Sequence, residues 1–164
     1  FLNIPLIHAA NTYAVNLFPE SHYNMVRVGL DLYKDVVTLK SKVGFIKEVS
    51  KGALIGYDGE YTTHKDTKIA VINIGYADGY PRLLSNKGEV LINGKYYPVV
   101  GKVCMDMIMV DIGKTSIINI GDTVVVMGKN SDSKISIPHI CKLTNGNPRE
   151  LICNLGKRVH REYI

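Results

Sequence analysis

A chain of 164 residues with 46% hydrophobic and 21% charged side chains is long enough to bury one substantial core. That composition is globular and excludes disordered and collagen-like classes. The net charge of +5 arises from 20 Lys and Arg interleaved with 15 Asp and Glu, a pattern without the clustered basic stripe of a nucleic-acid surface.

No apolar run approaches the roughly 20 residues needed to cross a bilayer, so no membrane partner is expected of this segment. Cys104, Cys141 and Cys153 are odd in number and far apart, which suits neither a disulfide framework nor a zinc site. A cytoplasmic, reducing setting without a metal is the expectation. The chain opens at Phe1 without a methionine, basic leader or cleavage site, as expected of a sequence that starts within a longer protein.

In chain order, Ile4 to Ile7 and Met25 to Val28 are short apolar runs read as strands. Thr12 to Leu17 lies between them, a short helix capped by Asn11 or Thr12. Strand, helix, strand is the unit of a parallel α/β sheet. From Val36 onward the pattern turns to β structure, with runs at Val37 to Lys47, Lys68 to Ile74, Glu89 to Ile92, Tyr96 to Val100, Met107 to Ile112 and Thr123 to Met127. Asn93-Gly94 predicts a type I′ hairpin turn, because both central residues need positive φ. Asp58-Gly59 and Ile120-Gly121-Asp122 read as turns. Ser136 to Leu143, with Pro138 near its start, predicts a helix, and Leu151 to Cys153 and Val159 to Tyr163 read as closing strands.

Four segments in this order resemble the alanine racemase family: His8-Ala9-Ala10-Asn11-Thr12, Val26-Arg27-Val28-Gly29-Leu30-Asp31-Leu32-Tyr33, Ile74-Gly75-Tyr76-Ala77-Asp78-Gly79-Tyr80-Pro81-Arg82, and Val99-Val100-Gly101-Lys102-Val103-Cys104-Met105-Asp106-Met107. The resemblance covers nearly the whole chain. It implies an N-terminal (β/α)8 barrel that holds pyridoxal 5′-phosphate, a mostly β domain after it, and a head-to-tail homodimer in which each active site draws on both subunits. Such a barrel takes about 250 residues. Residues 1–35 are therefore expected to be a short α/β remnant of the barrel, and residues 36–164 the C-terminal β domain, making the chain mainly β. The family's cofactor lysine lies in a Lys-Ala-Asn-Ala-Tyr-Gly-like segment, and none occurs in these 164 residues. The segment alone is expected to be inactive and not to bind the cofactor.

The resemblance also implies roles. Racemisation takes the Cα proton from one face and returns one to the other, which calls for two proton-transfer groups. Tyr76 is expected to be one of them, supplied to the partner subunit's site. Taken without the resemblance it reads as a strand-end tyrosine, but Gly75, Asp78, Gly79 and Pro81 around it suit a side chain presented on a tight turn. Arg27 is expected to face the pyridine nitrogen and leave it unprotonated, since a guanidinium keeps its proton. His8 supports Arg27. Thr12, where the family has serine, and Gly29 with Leu30 are expected at the phosphate, and Met105 with Asp106 at the substrate carboxylate.

Two positions depart from the family. Lys157 stands where a tyrosine commonly touches the phosphate and walls the substrate pocket, and His160 replaces a frequent proline. Lysine can still reach the phosphate as a point charge. This tail drifts toward the serine racemase branch. The expected function is interconversion of L- and D-alanine for cell-wall precursors; the alternatives are a serine or broad-specificity racemase, or a non-catalytic β interaction module.

Overall fold

Short aliphatic runs punctuated by turns dictate strands, and strands they become in the computed structural model, which describes residues 4–33, 36–130 and 132–163. By its contacts the chain divides after Val37 into two units. The expected boundary at residue 35 lies outside the described residues.

In the larger unit the strands are β1 (Leu39–Val49), β2 (Leu54–Ile55), β3 (Tyr61–Thr62), β4 (Thr67–Ile72), β5 (Glu89–Ile92), β6 (Lys95–Pro98), β7 (Ile108–Asp111), β8 (Thr123–Asn130) and β9 (Ser133–Ile135). Among the described residues the main sheet has seven strands in the order β6-β5-β8-β1-β4-β7, with β9 on β8, while β2 and β3 form a separate hairpin. All of these pairings are antiparallel.

The long strand β1 makes the sheet turn a corner. Leu39–Lys42 pair with β8, a register irregularity follows Val43, and the remainder pairs with β4. The two ends of the path are then drawn together. Val99, just after β6, bridges Val110 on β7, and the Val100 amide donates to the Met109 carbonyl at 2.9 Å. Joining the ends leaves fewer open strand edges.

Inside lie Val43, Ile72, Val90, Leu91, Ile92, Ile108, Val110 and Met127, all essentially inaccessible to solvent. Each such aliphatic side chain contributes roughly 1.5–3 kcal/mol on burial. The Asn93-Gly94 hairpin joins β5 to β6 with φ of 49° and 76°, the conformation expected from the dipeptide.

Helix α2 (Ile137–Thr144) starts as expected, with the Ser136 hydroxyl accepting from the His139 amide at 3.2 Å and Pro138 in the first turn. The last two expected strands are corrected. Pro148–Cys153 is helix α3, capped by Asn147, whose side chain accepts from the Arg149 amide at 2.9 Å. An Asn-Pro start signature, with Leu151 as the buried side chain of that helix, outweighs the short apolar run Leu151 to Cys153. Residues 159–163 are irregular, with the Arg161 guanidinium donating to the Leu155 and Val159 carbonyls at 3.1 and 3.2 Å.

In the first unit α1 (Thr12–Leu17) forms with Asn11 as its cap, the Asn11 carboxamide oxygen accepting from the Tyr13 and Ala14 amides. The expected strands at Ile4 to Ile7 and Met25 to Val28 do not form. What remains is one parallel bridge between Asn11 and Arg27. Ile4, Leu6, Ile7, Tyr13, Leu17, Phe18 and Leu32 are exposed, and among the described residues of this unit only Ala10 is fully buried. Strands need paired neighbours and a covered face, and these lack both.

Among the described residues no helix is long and apolar enough to cross a membrane, and no cluster of three or more His, Cys, Asp or Glu side chains is placed to hold a metal ion.

Candidate active site

The sequence Gly75-Tyr76-Ala77-Asp78-Gly79 folds into a single 3-10 turn after β4. Its closure is local chemistry: the Gly75 amide donates to Asp78 Oδ2 at 2.8 Å, and the Gly79 amide to the Tyr76 carbonyl at 3.2 Å. The turn is fastened to the loop before β7. The Tyr76 amide donates to the Cys104 carbonyl and the Ala77 amide to the Met105 carbonyl, both at 3.0 Å. So close is this approach that a Cβ on Gly75 would stand 2.3 Å from each of those carbonyl oxygens. Tyr76 itself is 44% exposed and leaves its own domain's interior.

Tyr76 opens onto a groove of about 420 Å³, lined also by Tyr57, Asp58, Arg82, Lys102, Cys104, Met105, Asp106 and Met107. Three of the expected site residues, Tyr76, Met105 and Asp106, thus share one surface. Tyr57 was not anticipated. It sits at the tip of the β2–β3 hairpin, in the turn Gly56-Tyr57-Asp58-Gly59, and is 71% exposed. The signal was present, since a tyrosine flanked by Gly and Asp-Gly is the same pattern that drew attention to Tyr76.

Charge organises the groove. Lys102 reaches both carboxylates of the hairpin tip, pairing with Asp58 and lying 3.1 Å from Glu60. Its hydrogen bond and charge hold the Asp58 carboxyl below the usual carboxylate range, and the two carboxylates push the Lys102 ammonium up in turn. Asp106 is paired with Arg158, which also donates through Nε to Asp78 Oδ1 at 2.7 Å. Those two carboxylates raise the Arg158 guanidinium further above its already high value. Cys104 is partly buried against Ile55, Ile69, Val100 and Met109, and burial pushes its thiol up. A thiol made less acidic is a poor nucleophile.

Lys157 is exposed on the tail beside Arg158. The remaining expected residues belong to the first unit. There the Gly29 amide donates to the Thr12 hydroxyl oxygen at 2.8 Å, bringing the two phosphate-position residues together across 17 positions and leaving the hydroxyl proton free to donate outward. Leu30 follows in a short 3-10 turn. The Arg27 guanidinium donates to the Ala9 carbonyl at 3.2 Å, and among the described residues no hydrogen bond joins it to His8, which is exposed.

Residues 36–163 match the sequence profile of the alanine racemase C-terminal domain. The chain is 38% identical to the alanine racemase of Halothermothrix orenii over 99% of its own length and 46% of that protein. Among solved structures, alanine racemase from Streptomyces coelicolor A3(2) superposes with a TM-score of 0.90 at 29% identity, over 96% of this chain and 45% of that one. The Bartonella henselae alanine racemase with covalently bound pyridoxal phosphate gives 0.84 at 33% identity, over 94% and 46%.

Proposed function

The chain belongs to the alanine racemase family, and from that premise we propose that it is the C-terminal part of a pyridoxal-phosphate-dependent racemase interconverting L- and D-alanine, with its groove serving the active site of a partner subunit. The chain spans about half the length of the curated relatives it matches. One observation carries the reading: an open groove lined by two tyrosines, Tyr57 and Tyr76, together with Met105 and Asp106.

When bound, pyridoxal phosphate draws electrons from the substrate's Cα–H bond and acidifies it. The chain's own part is to hold groups around that reaction. Thr12, whose hydroxyl oxygen accepts the Gly29 amide, supplies an uncharged O–H donor of the kind that fits a phosphate, with Leu30 next to Gly29. Arg27 is the group for the pyridine nitrogen, its guanidinium reaching the carbonyl of Ala9 next to His8, and Lys157 adds a point charge toward the phosphate.

A phenol then removes or returns the Cα proton. Sequence reasoning gives this role to Tyr76. On the criterion that a base must project beyond its own domain into another subunit's cleft, Tyr57 has the stronger claim, at 71% exposed against 44%. We assign the base to Tyr57, with Tyr76 as the wall beside it. Arg82 adds a cation to the groove's lining, suited to the carboxylate of an amino acid, while Lys102 is paired with Asp58 and Glu60.

The working enzyme is a cytoplasmic head-to-tail homodimer that supplies D-alanine for peptidoglycan. A second reading, a serine or broad-specificity racemase, rests on Lys157 in place of a pocket tyrosine. Rates of the full-length enzyme on L-alanine and L-serine separate the two.

Mixed dimers test the shared site. A full-length variant without the cofactor lysine is combined with a Tyr57→Phe, Tyr76→Phe variant, each inactive alone. Sharing across the interface restores about a quarter of wild-type activity on statistical mixing. No recovery would refute the assignment. The 164-residue segment by itself is expected to show neither turnover nor the absorbance of lysine-bound cofactor.

A further inference from the structure

We propose that Arg158 is a positioning residue of this site, a single guanidinium that clamps the Tyr76 turn to the Met105–Asp106 loop and seats the tail carrying Lys157 against both. The proposal rests on the groove being a racemase site, as argued above.

Its geometry is a chain of four contacts. Asp78 divides its carboxylate: Oδ2 accepts the Gly75 amide at 2.8 Å, closing the turn under Tyr76, and Oδ1 accepts Arg158 Nε at 2.7 Å. The same guanidinium gives Nη2 to Asp106. Meanwhile the tail comes down on the turn, with the Gly156 amide donating to the Asp78 carbonyl at 3.3 Å. Three segments far apart in sequence, each carrying a proposed site residue, meet at one cation.

Two physical features make arginine the residue for this task. The planar fork presents Nε and Nη2 in fixed directions, so one side chain can address two carboxylates at once, which a point-charge ammonium cannot do with the same geometry. It also neutralises them. Asp106 lies where a substrate carboxylate is expected, and an unpaired negative charge there would repel it. With Arg158 in place the loop can receive an anion.

The clamp is exposed, the Arg158 side chain being 51% accessible and that of Asp106 52%. It therefore acts on local placement and not on the stability of the sheet. Main-chain hydrogen bonds from Tyr76 and Ala77 to Cys104 and Met105 set the coarse position. Arg158 holds the side-chain end.

The experiment uses the full-length enzyme with Arg158→Gln, Arg158→Lys and Arg158→Gln combined with Asp106→Asn. Amide hydrogen exchange at Tyr76 and Ala77 is expected to rise about tenfold in Arg158→Gln, while β4 and β7 are unchanged. KM for alanine is expected to rise about tenfold, with kcat falling less. The lysine variant should lie between, and Asp106→Asn should recover part of KM by removing the uncompensated charge.

Unchanged exchange at Tyr76 and Ala77 would overturn the proposal, and so would faster exchange throughout the sheet or a double variant with no recovery. A wild-type enzyme inactive on both alanine and serine would instead sink the functional reading, while the exchange result would still judge the clamp.

Discussion

The two tyrosine turns are built on one plan and fastened differently. Each places a phenol between a glycine and an Asp-containing turn, and each is held by one cation from a distant segment: Lys102 for Tyr57, through Asp58 and Glu60, and Arg158 for Tyr76, through Asp78. But the Tyr76 turn is also bound by main-chain hydrogen bonds to Cys104 and Met105, whereas Tyr57 rides on the tip of a two-residue hairpin and is the more exposed. The difference separates a fixed wall from a projecting group. Four measurements sharpen or break that contrast.

The largest effect is expected from the phenols in the full-length enzyme. General acid–base catalysis contributes about 10²–10⁴-fold. Tyr57→Phe should therefore lower kcat by at least about 100-fold, and Tyr76→Phe by no more than about tenfold. The opposite order, read from steady-state rates, would return the base to Tyr76.

Next is the fastening itself. Gly75→Ala forces a methyl into backbone oxygens 2.3 Å away and should cost about 3 kcal/mol, read from the denaturation midpoint. A cost below about 1 kcal/mol would show that the turn yields easily, and the contrast would weaken.

Tyr80, two residues beyond Asp78, is 2% exposed, and its hydroxyl finds no partner among the described residues. Tyr80→Phe removes an unsatisfied buried group and should stabilise by about 1 kcal/mol. Burial, with Glu89 adding to it, raises the Tyr80 phenol above its usual value. Titration of this phenol therefore leaves stability unchanged below about pH 10 and lowers it as pH rises beyond, because only the unfolded chain ionises there. Alkaline unfolding of the wild type, compared with the phenylalanine variant, reads this directly; identical pH profiles would refute it.

The smallest effect concerns the hairpin tip. Asp58 titrates below the usual range because Lys102 hydrogen-bonds it, so the contact is present above about pH 4 and lost as pH falls through the lower folded value. In Lys102→Met the Asp58 carboxyl should titrate higher, as followed by NMR. An unmoved titration would mean that Lys102 does not hold the tip.

Much of this was legible in the chain. From Val37 to Met127 the aliphatic runs fell within or beside the observed strands, Asn93-Gly94 gave its hairpin, Asn11 capped α1, and Pro138 stood in the first turn of α2. Elsewhere local pattern gave way to stronger signals or missing neighbours: Asn147-Pro148 starts a helix where Leu151 to Cys153 suggests a strand, and Ile4 to Ile7 has no neighbouring strand with which to pair. Tyr57 stands out less in the sequence because Asp58-Gly59 reads simply as a turn.

The two clamps were out of reach of pattern reading. Lys102 and Asp58 are 44 positions apart, and Arg158 and Asp78 are 80 apart, with no period or motif linking either pair. Local chemistry, namely strand propensity, turn residues and caps, is written in adjacent residues, and from it came the β architecture, the family resemblance and the exposed tyrosine of the Gly75-Tyr76 turn. Which side chains share a surface depends on how β1 bends and how the sheet's ends meet, and only the folded chain decided that Tyr57, Tyr76, Lys102 and Asp106 line one groove with Arg158 paired at its edge. Charges find partners through space, and space is what the linear order leaves open.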